Sequence, residues 1–335
     1  MQTALANNRQ TRRRVHVRPN LTIMKGTIAD LKFVRYGDMV VPVVMGKERK
    51  RIINHILPQG LNQYVNNLVT VNNNAQTGNS SISGWSSSPG NLIQLLNNGS
   101  VVQTLTPTII PVLNGSTVIW VFIANDLSSA SYSANQVNLL ASVNYATSSG
   151  GVAIQYSPPF NLATATTTIV KQSGETISFI WEIQLNLGSS ALPAFLFGIL
   201  YSIPTGQSTC GGTQGTFGGA YGRVCDVPYG FSTIIVQYIG GSSSGTISSI
   251  TTSYDGTNTY LVISASISLS SQVTATSIIV TVGTPQNYPG SCASNGFCLN
   301  GQILATGSII QLPYNATLPA GTITVTVTIE FSPAT

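Results

Sequence analysis

Charge is what this chain has least of. Asp, Glu, Lys and Arg make up 7% of its 335 residues, against about 25% in an average soluble domain. It has two histidines, His16 and His55, and four cysteines. It also lacks a long apolar run: the longest, Ala191 to Pro204, is broken by Pro193 and stops at about 14 residues, short of the ~20 that cross a bilayer as a helix. No internal repeat is visible, which excludes a solenoid or propeller. Yet 42% of the residues are apolar, too many for a disordered polar chain. The length suits one large domain or two of ordinary size.

Scarcity of titratable side chains weighs against catalysis, because acid–base work and metal binding both need them. Gly241-Ser242-Ser243-Ser244-Gly245 has the outline of a nucleophile elbow. That elbow needs a following helix and a later histidine; a strand pattern follows and no histidine occurs after His55, so the segment reads as a hairpin turn. Glu175 and Glu182 are seven apart on one strand and face opposite sides, so they make no carboxylate pair for glycoside cleavage. Asp255-Gly256 is a turn signal. The glycines from Gly211 to Gly222 match neither phosphate-binding spacing. The expectation is no enzyme and no cofactor or metal.

The charges present are unevenly placed. Twelve of the 14 basic residues lie in the first 51 positions with three acids, a net charge of +9; the rest holds Lys171 and Arg223 against six acids, a net of −4. Such asymmetry points to a polyanion contact, a basic tail that only aids solubility being the alternative. The candidate residues are Arg9, Arg12, Arg13, Arg14, Arg18, Lys47, Arg49, Lys50 and Arg51. Residues 1–19 read as a flexible arm that remains on the mature protein, since Val15-His16-Val17-Arg18-Pro19-Asn20 follows the arginines where a signal peptide has an apolar segment. Such an arm is dispensable for folding, and its arginines suit bidentate grip on phosphate. Its partner is nucleic acid, a neighbouring subunit or an anionic membrane.

The cysteines fall in two close pairs, Cys210 with Cys225 and Cys292 with Cys298. The spacing is wrong for zinc. Disulfides within each pair are expected, with four buried free thiols as the alternative. Five sequons, at Asn20, Asn79, Asn98, Asn114 and Asn315, are near chance in a chain so rich in Asn, Ser and Thr.

Most of the chain reads as strand. Residues 20–66 suggest a meander (Leu21–Met24, Leu31–Tyr36, Met39–Met45), then a helix over 47–57 with Ile52, Ile53, Ile56 and Leu57 on one side, ended by Pro58 and Gly60. Leu61, Tyr64, Val65, Leu68 and Val69 repeat helical spacing. Beyond that the period is two: Ile323, Val325, Val327, Ile329 and Phe331 alternate with Thr322, Thr324, Thr326, Thr328 and Glu330, and Leu261–Leu269, Gln136–Tyr145 and Glu175–Leu187 behave alike. About nine strands are expected in 67–203 and about six in 232–332. The prediction is an all-β chain: two antiparallel β-sandwich (jelly-roll-like) domains joined by a Gly-rich, disulfide-closed hinge at 204–230. With few carboxylates to protonate, stability is expected to change little as pH falls.

A basic arm, then a β-sandwich, a hinge and a smaller β-module resembles virus capsid proteins of the jelly-roll kind. The Ser/Thr/Asn-rich strands and close cysteine pairs are most similar to structural proteins of archaeal viruses of the turreted icosahedral type; the order of parts also resembles small RNA-virus coats. The resemblance lies in layout and composition and carries over no functional residue. It implies a virion structural protein, of capsid or vertex, that assembles with copies of itself and other virion proteins. Its arm would meet nucleic acid, anionic membrane or neighbours, and its C-terminal module a host surface. The alternatives are a receptor-binding spike or adhesin and a cell-surface filament or S-layer subunit.

Overall fold

Alternation of apolar with hydroxyl side chains over ten or more residues is satisfied by long strands with one face in a core. The computed structural model describes residues 12–36, 39–66, 84–85, 92–114, 117–141, 143–148, 152–156, 159–186, 231–282, 296–299, 302–306 and 308–334. The early strands are β1 (Arg12–Gly26), β2 (Leu31–Tyr36), β3 (Met39–Val44), β4 (Glu48–Ile52) and β5 (Asn54–Ile56). A helix, α1, covers residues 58–66. Then come β6 (Gly84–Trp85), β7 (Ile93–Asn97), β8 (Ser100–Leu105), β9 (Thr108–Asn114) and β10 (Thr117–Asp126). They are followed by β11 (Tyr132–Ala141), β12 (Val143–Ser148), β13 (Val152–Tyr156), β14 (Phe160–Lys171) and β15 (Thr176–Asn186). The last third holds β16 (Phe231–Tyr238), β17 (Gly241–Tyr254), β18 (Thr259–Leu269) and β19 (Val273–Val282). It ends with β20 (Gly296–Leu299), β21 (Gln302–Thr306), β22 (Ser308–Leu318) and β23 (Gly321–Pro333). The chain is all-β and sandwich-like.

An 11-stranded sheet runs β22-β19-β16-β17-β18-β23-β1-β15-β10-β9, with β4 also on β1. Its β1-β15-β10-β9 end packs against a five-stranded sheet, β5-β14-β11-β7-β8, through one continuous apolar core that includes Trp120, Phe122, Phe179 and Trp181. The pairing is nested, β1 with β15 and β5 with β14, both antiparallel, which is how a jelly roll is wound. At the other end β17 changes partners midway. Gly241–Thr246 pair with β16 and Ile247–Tyr254 with β18, folding the sheet so that both halves bury their apolar faces together.

β1 joins the two regions, which corrects the reading of 1–19 as an arm. Residues 1–11, Arg9 among them, lie outside the described residues, but 12–19 are strand. Val15 and Val17 are fully buried between exposed Arg14, His16 and Arg18. Arg12–Val17 run parallel to Thr328–Pro333 of β23, while His16–Gly26 pair with β15. The large sheet is therefore mixed, not purely antiparallel as expected. On the β23 side β1 later passes to β4, from Leu21 to Lys25; Pro19 sits in the gap, where a missing N–H costs no ladder bond. Leu21–Met24 are thus part of β1, not a separate strand.

The helix expected over 47–57 is two strands. Ile52, Asn54 and Ile56 are buried while Arg51, Ile53 and His55 are exposed, a period of two that shares the 52/56 spacing with a helix. Pro58 opens a helix instead of ending one, since the first turn needs no N–H. Leu61, Tyr64 and Val65 of α1 are buried as their spacing implied. Gly60 does not stop the helix; a Cβ there would lie 2.0 Å from the Asn161 carbonyl oxygen, so glycine lets α1 press against β14. The segment Gly241–Gly245 opens β17, the turn being Ile239-Gly240 just before it. The expected hinge at 204–230 lies outside the described residues.

The β2–β3 hairpin lies over the outer face of the large sheet, forming a second apolar cluster: Val41 and Val43 meet Met24, Ile110, Val121, Ile123 and Ile180. A buried polar chain pins it. The Val44 amide donates to Ser178 Oγ (2.7 Å), Ser178 Oγ donates to Asn125 Oδ1 (2.5 Å), and Asn125 Nδ2 donates to the Pro42 carbonyl (2.9 Å). Gly46 permits the return, since a Cβ there would meet the Lys25 carbonyl oxygen at 2.0 Å.

Candidate polyanion-contacting face

Alternation along β1 sorts the basic residues. Arg12, Arg14, His16 and Arg18 point outward; Arg13 lies on the opposite side, half-buried, in line with Val15 and Val17. The neighbouring strands then decide which outward charges remain available. Arg14 is the register partner of Glu330 on β23. The buried Glu330 carboxylate takes Arg12 Nη2 at 2.6 Å and Arg14 Nε at 3.1 Å, and the Ser332 hydroxyl donates to it at 2.8 Å. Burial pushes the Glu330 carboxyl up, but Ser332 and the two arginines outweigh it and hold it below its ordinary value. Arg12 also lies over the Tyr260 ring, 5.0 Å from its centre. Two of the expected polyanion contacts therefore brace the β1–β23 junction.

β4 supplies the other outward charges. Arg51 is opposite Thr22 and Arg49 opposite Met24, both on the outer face. Arg18 lies on that face four residues before Thr22, roughly 13 Å along the strand. Among the described residues no ion pair is recorded for Arg18, Arg49 or Arg51. Lys50, exposed on the other side of β4, donates to Thr167 Oγ1 of β14 at 2.9 Å. Lys47 is exposed at the bend before β4. The one acid among them on this face, Glu182, accepts from Asn20 Nδ2 at 3.0 Å.

The structure thus gathers Arg18, Arg49 and Arg51 on one rigid face, with Lys47 at the bend before β4. It assigns Arg12, Arg14 and Lys50 to internal contacts. Sequence reasoning left Lys32 and Arg35 on β2 out of the candidate set; both are exposed, on opposite sides of the hairpin. Their signal was local: Leu31, Phe33, Val34 and Tyr36 put apolar groups on both sides of one short strand. Of the four expected disulfide cysteines, Cys210, Cys225 and Cys292 lie outside the described residues and Cys298 falls in β20. Among the described residues no cluster of three or more His, Cys, Asp or Glu could hold a metal. None of their helices is long and apolar enough to cross a membrane.

Carboxylates elsewhere are few but tightly held. Asp30, Asp126, Glu175, Asp255 and Glu330 all sit below their ordinary values. Asp255 accepts from the Tyr260 hydroxyl and from the Asn258 and Thr257 amides; Glu175 accepts from the Gln172 amide and pairs with Lys25 at 2.9 Å. A depressed carboxylate contributes stability that is present above its unfolded pKa, near 4, and lost as pH falls through the folded value. The melting temperature is therefore expected to hold from neutral pH to about 5 and to drop below about 4, earlier than the small number of acids implied. Thermal melts across that range check this; a flat profile down to about pH 2 would refute it.

No family model, curated protein or solved structure matches the chain.

Proposed function

We propose that this chain is a structural subunit of a virion shell or vertex, packing against its copies through uncharged sheet faces and presenting a basic face to a polyanion. The observation that carries the reading is the division of one continuous sheet into two kinds of outer surface. Over β18 and β23 the outward residues are Ser264, Ser266 and Ser268 beside Thr322, Thr324 and Thr326, with hydroxyls joined at 3.0 Å (Ser264–Thr326) and 3.2 Å (Ser268–Thr322). Such a surface meets another protein without burying an unpaired charge. Over β1 and β4 the outer face carries Arg18, Arg49 and Arg51.

The edges favour contact through faces rather than strand addition. The terminal strands of the large sheet each carry a proline, Pro111 in β9 and Pro313 in β22, and proline on an edge discourages pairing with another chain. This weighs against a filament built by strand exchange.

Sedimentation and negative-stain electron microscopy of the purified protein test the reading, with shells or shell fragments expected. Ser266 and Thr324 are exposed register partners. Replacing Thr324 with Glu is expected to abolish assembly while leaving the melting temperature unchanged. A wild-type chain that stays monomeric across protein concentration, salt and pH overturns the proposal, and so does unaltered assembly of the Glu variant.

A further inference from the structure

The β2–β3 hairpin buries one face on the sheet and leaves the other uncovered. Its outer face pairs Phe33 with Pro42 and Arg35 with Val40. Phe33 is 75% exposed and Val40 58%. At the base of the hairpin Ile28 is 62% and Met45 49% exposed, and the Met45 amide bonds the Asp30 carbonyl at 2.9 Å, holding both ends of that base together. Four large apolar side chains in water on one small element mark a contact surface.

Its surroundings are cationic. Residues 28–51 hold Lys32, Arg35, Lys47, Arg49, Lys50 and Arg51 against Asp30, Asp38 and Glu48. The Asp30 carboxylate is turned onto the Thr27 amide (2.8 Å) and hydroxyl (2.9 Å). The occupant must therefore satisfy an apolar centre and a basic rim together.

Three occupants differ in how well they do so. A second copy meeting this face with its own would bring the two basic rims together, like charge on like. A second copy meeting it with another face has little acid to offer. Asp126 and Glu330 are buried on their partners, Glu175 holds Lys25, and Asp255 closes its own loop. A polynucleotide would satisfy the cations but leave Ile28, Val40 and Met45 in water. An anionic lipid surface satisfies both, with aliphatic and aromatic groups at the acyl boundary and lysine and arginine among the head groups.

We propose that the outer face of the β2–β3 hairpin docks on an anionic lipid bilayer, with Phe33, Val40, Ile28 and Met45 entering the interface and Lys47, Arg49 and Arg51 on the head groups. For its cationic half the proposal rests on the polyanion reading above and names the polyanion; its apolar half stands alone. The docking is peripheral, since a two-stranded hairpin cannot satisfy its backbone inside a bilayer.

The test uses the full chain with phosphatidylcholine vesicles, the same vesicles containing phosphatidylglycerol, and duplex DNA. Wild-type protein is expected to sediment with the anionic vesicles, weakly or not at all with the neutral ones, and less as salt rises. The double variant Phe33→Ser, Val40→Ser removes exposed groups only, so its melting temperature should equal the wild type's. Its affinity for anionic vesicles should fall roughly tenfold or more, with DNA binding unchanged. Vesicle binding unaffected by that variant, or equal binding to neutral vesicles, overturns the proposal. Binding to DNA with none to vesicles overturns it while leaving the polyanion reading intact, and binding to neither removes both.

Discussion

Replacing Lys171 with Met is expected to destabilise the fold by about 3–5 kcal/mol, because it leaves a buried carboxylate without its counter-charge. Lys171 ends β14 in the five-stranded sheet; Asp126 ends β10 in the large one. Their side chains are 0% and 1% exposed, with Nζ 3.7 Å from Asp126 Oδ1. Nζ also donates to the Ser128 carbonyl at 2.5 Å and the Ala130 carbonyl at 2.9 Å, and it lies 5.9 Å from the centre of the Tyr132 ring. Asp126 accepts from the Ser128 amide (3.0 Å) and hydroxyl (2.6 Å) and from Gln103 Nε2 (3.2 Å). Burial pushes its carboxyl up, and these hydrogen bonds outweigh that and keep it ionised. One ammonium thus clasps the two layers of the sandwich and the turn between β10 and β11. Methionine keeps the length of the stem while stranding Asp126 and both carbonyls. Adding Asp126→Asn should recover part of the loss, since no bare charge then remains buried. Urea unfolding of the single and double variants measures both effects; a Lys171→Met variant within about 1 kcal/mol of wild type would show that the pair contributes little.

The strands that were plain in the sequence are those with one wet face. In β18 and β23, Ile and Val alternate with Ser and Thr, and the structure buries Leu261, Ile263, Ala265, Ile267 and Leu269 against Ile323, Val325, Val327 and Ile329. Where a second layer covers the outer face, the pattern blurs. β15 is buried on both sides from Thr176 to Trp181 because the β2–β3 hairpin lies over it. β4 and β5 were misread because residues four apart share a face in both a strand and a helix, and only the burial of Asn54 between Ile52 and Ile56 separates the two. The basic segment was legible as composition but not as a site. Glu330, near the other end of the chain, removes Arg12 and Arg14 from it, and no local pattern announces a parallel pairing between the first strand and the last.

That pairing gives the largest expected effect. An arm could be removed without harm; β1 cannot. Deleting residues 1–19 takes away Val15 and Val17, each fully buried and contributing about 1.5–3 kcal/mol. It also strips the partner of β23 from Thr328 to Pro333 and uncovers the edge beside Ile329 and Phe331. Glu330 also loses both of its arginine partners. The sum is comparable to the roughly 5–15 kcal/mol by which a domain is stable at all. The truncated chain should therefore lose its cooperative melt and aggregate through the exposed edge of β23, where an arm would have left the circular dichroism melt unchanged. A synthetic peptide spanning residues 12–19, added during refolding, should restore the melt by supplying the missing part of the strand. A chain lacking residues 1–19 that melts within a few degrees of the full-length protein would show that β1 does not hold the two regions together.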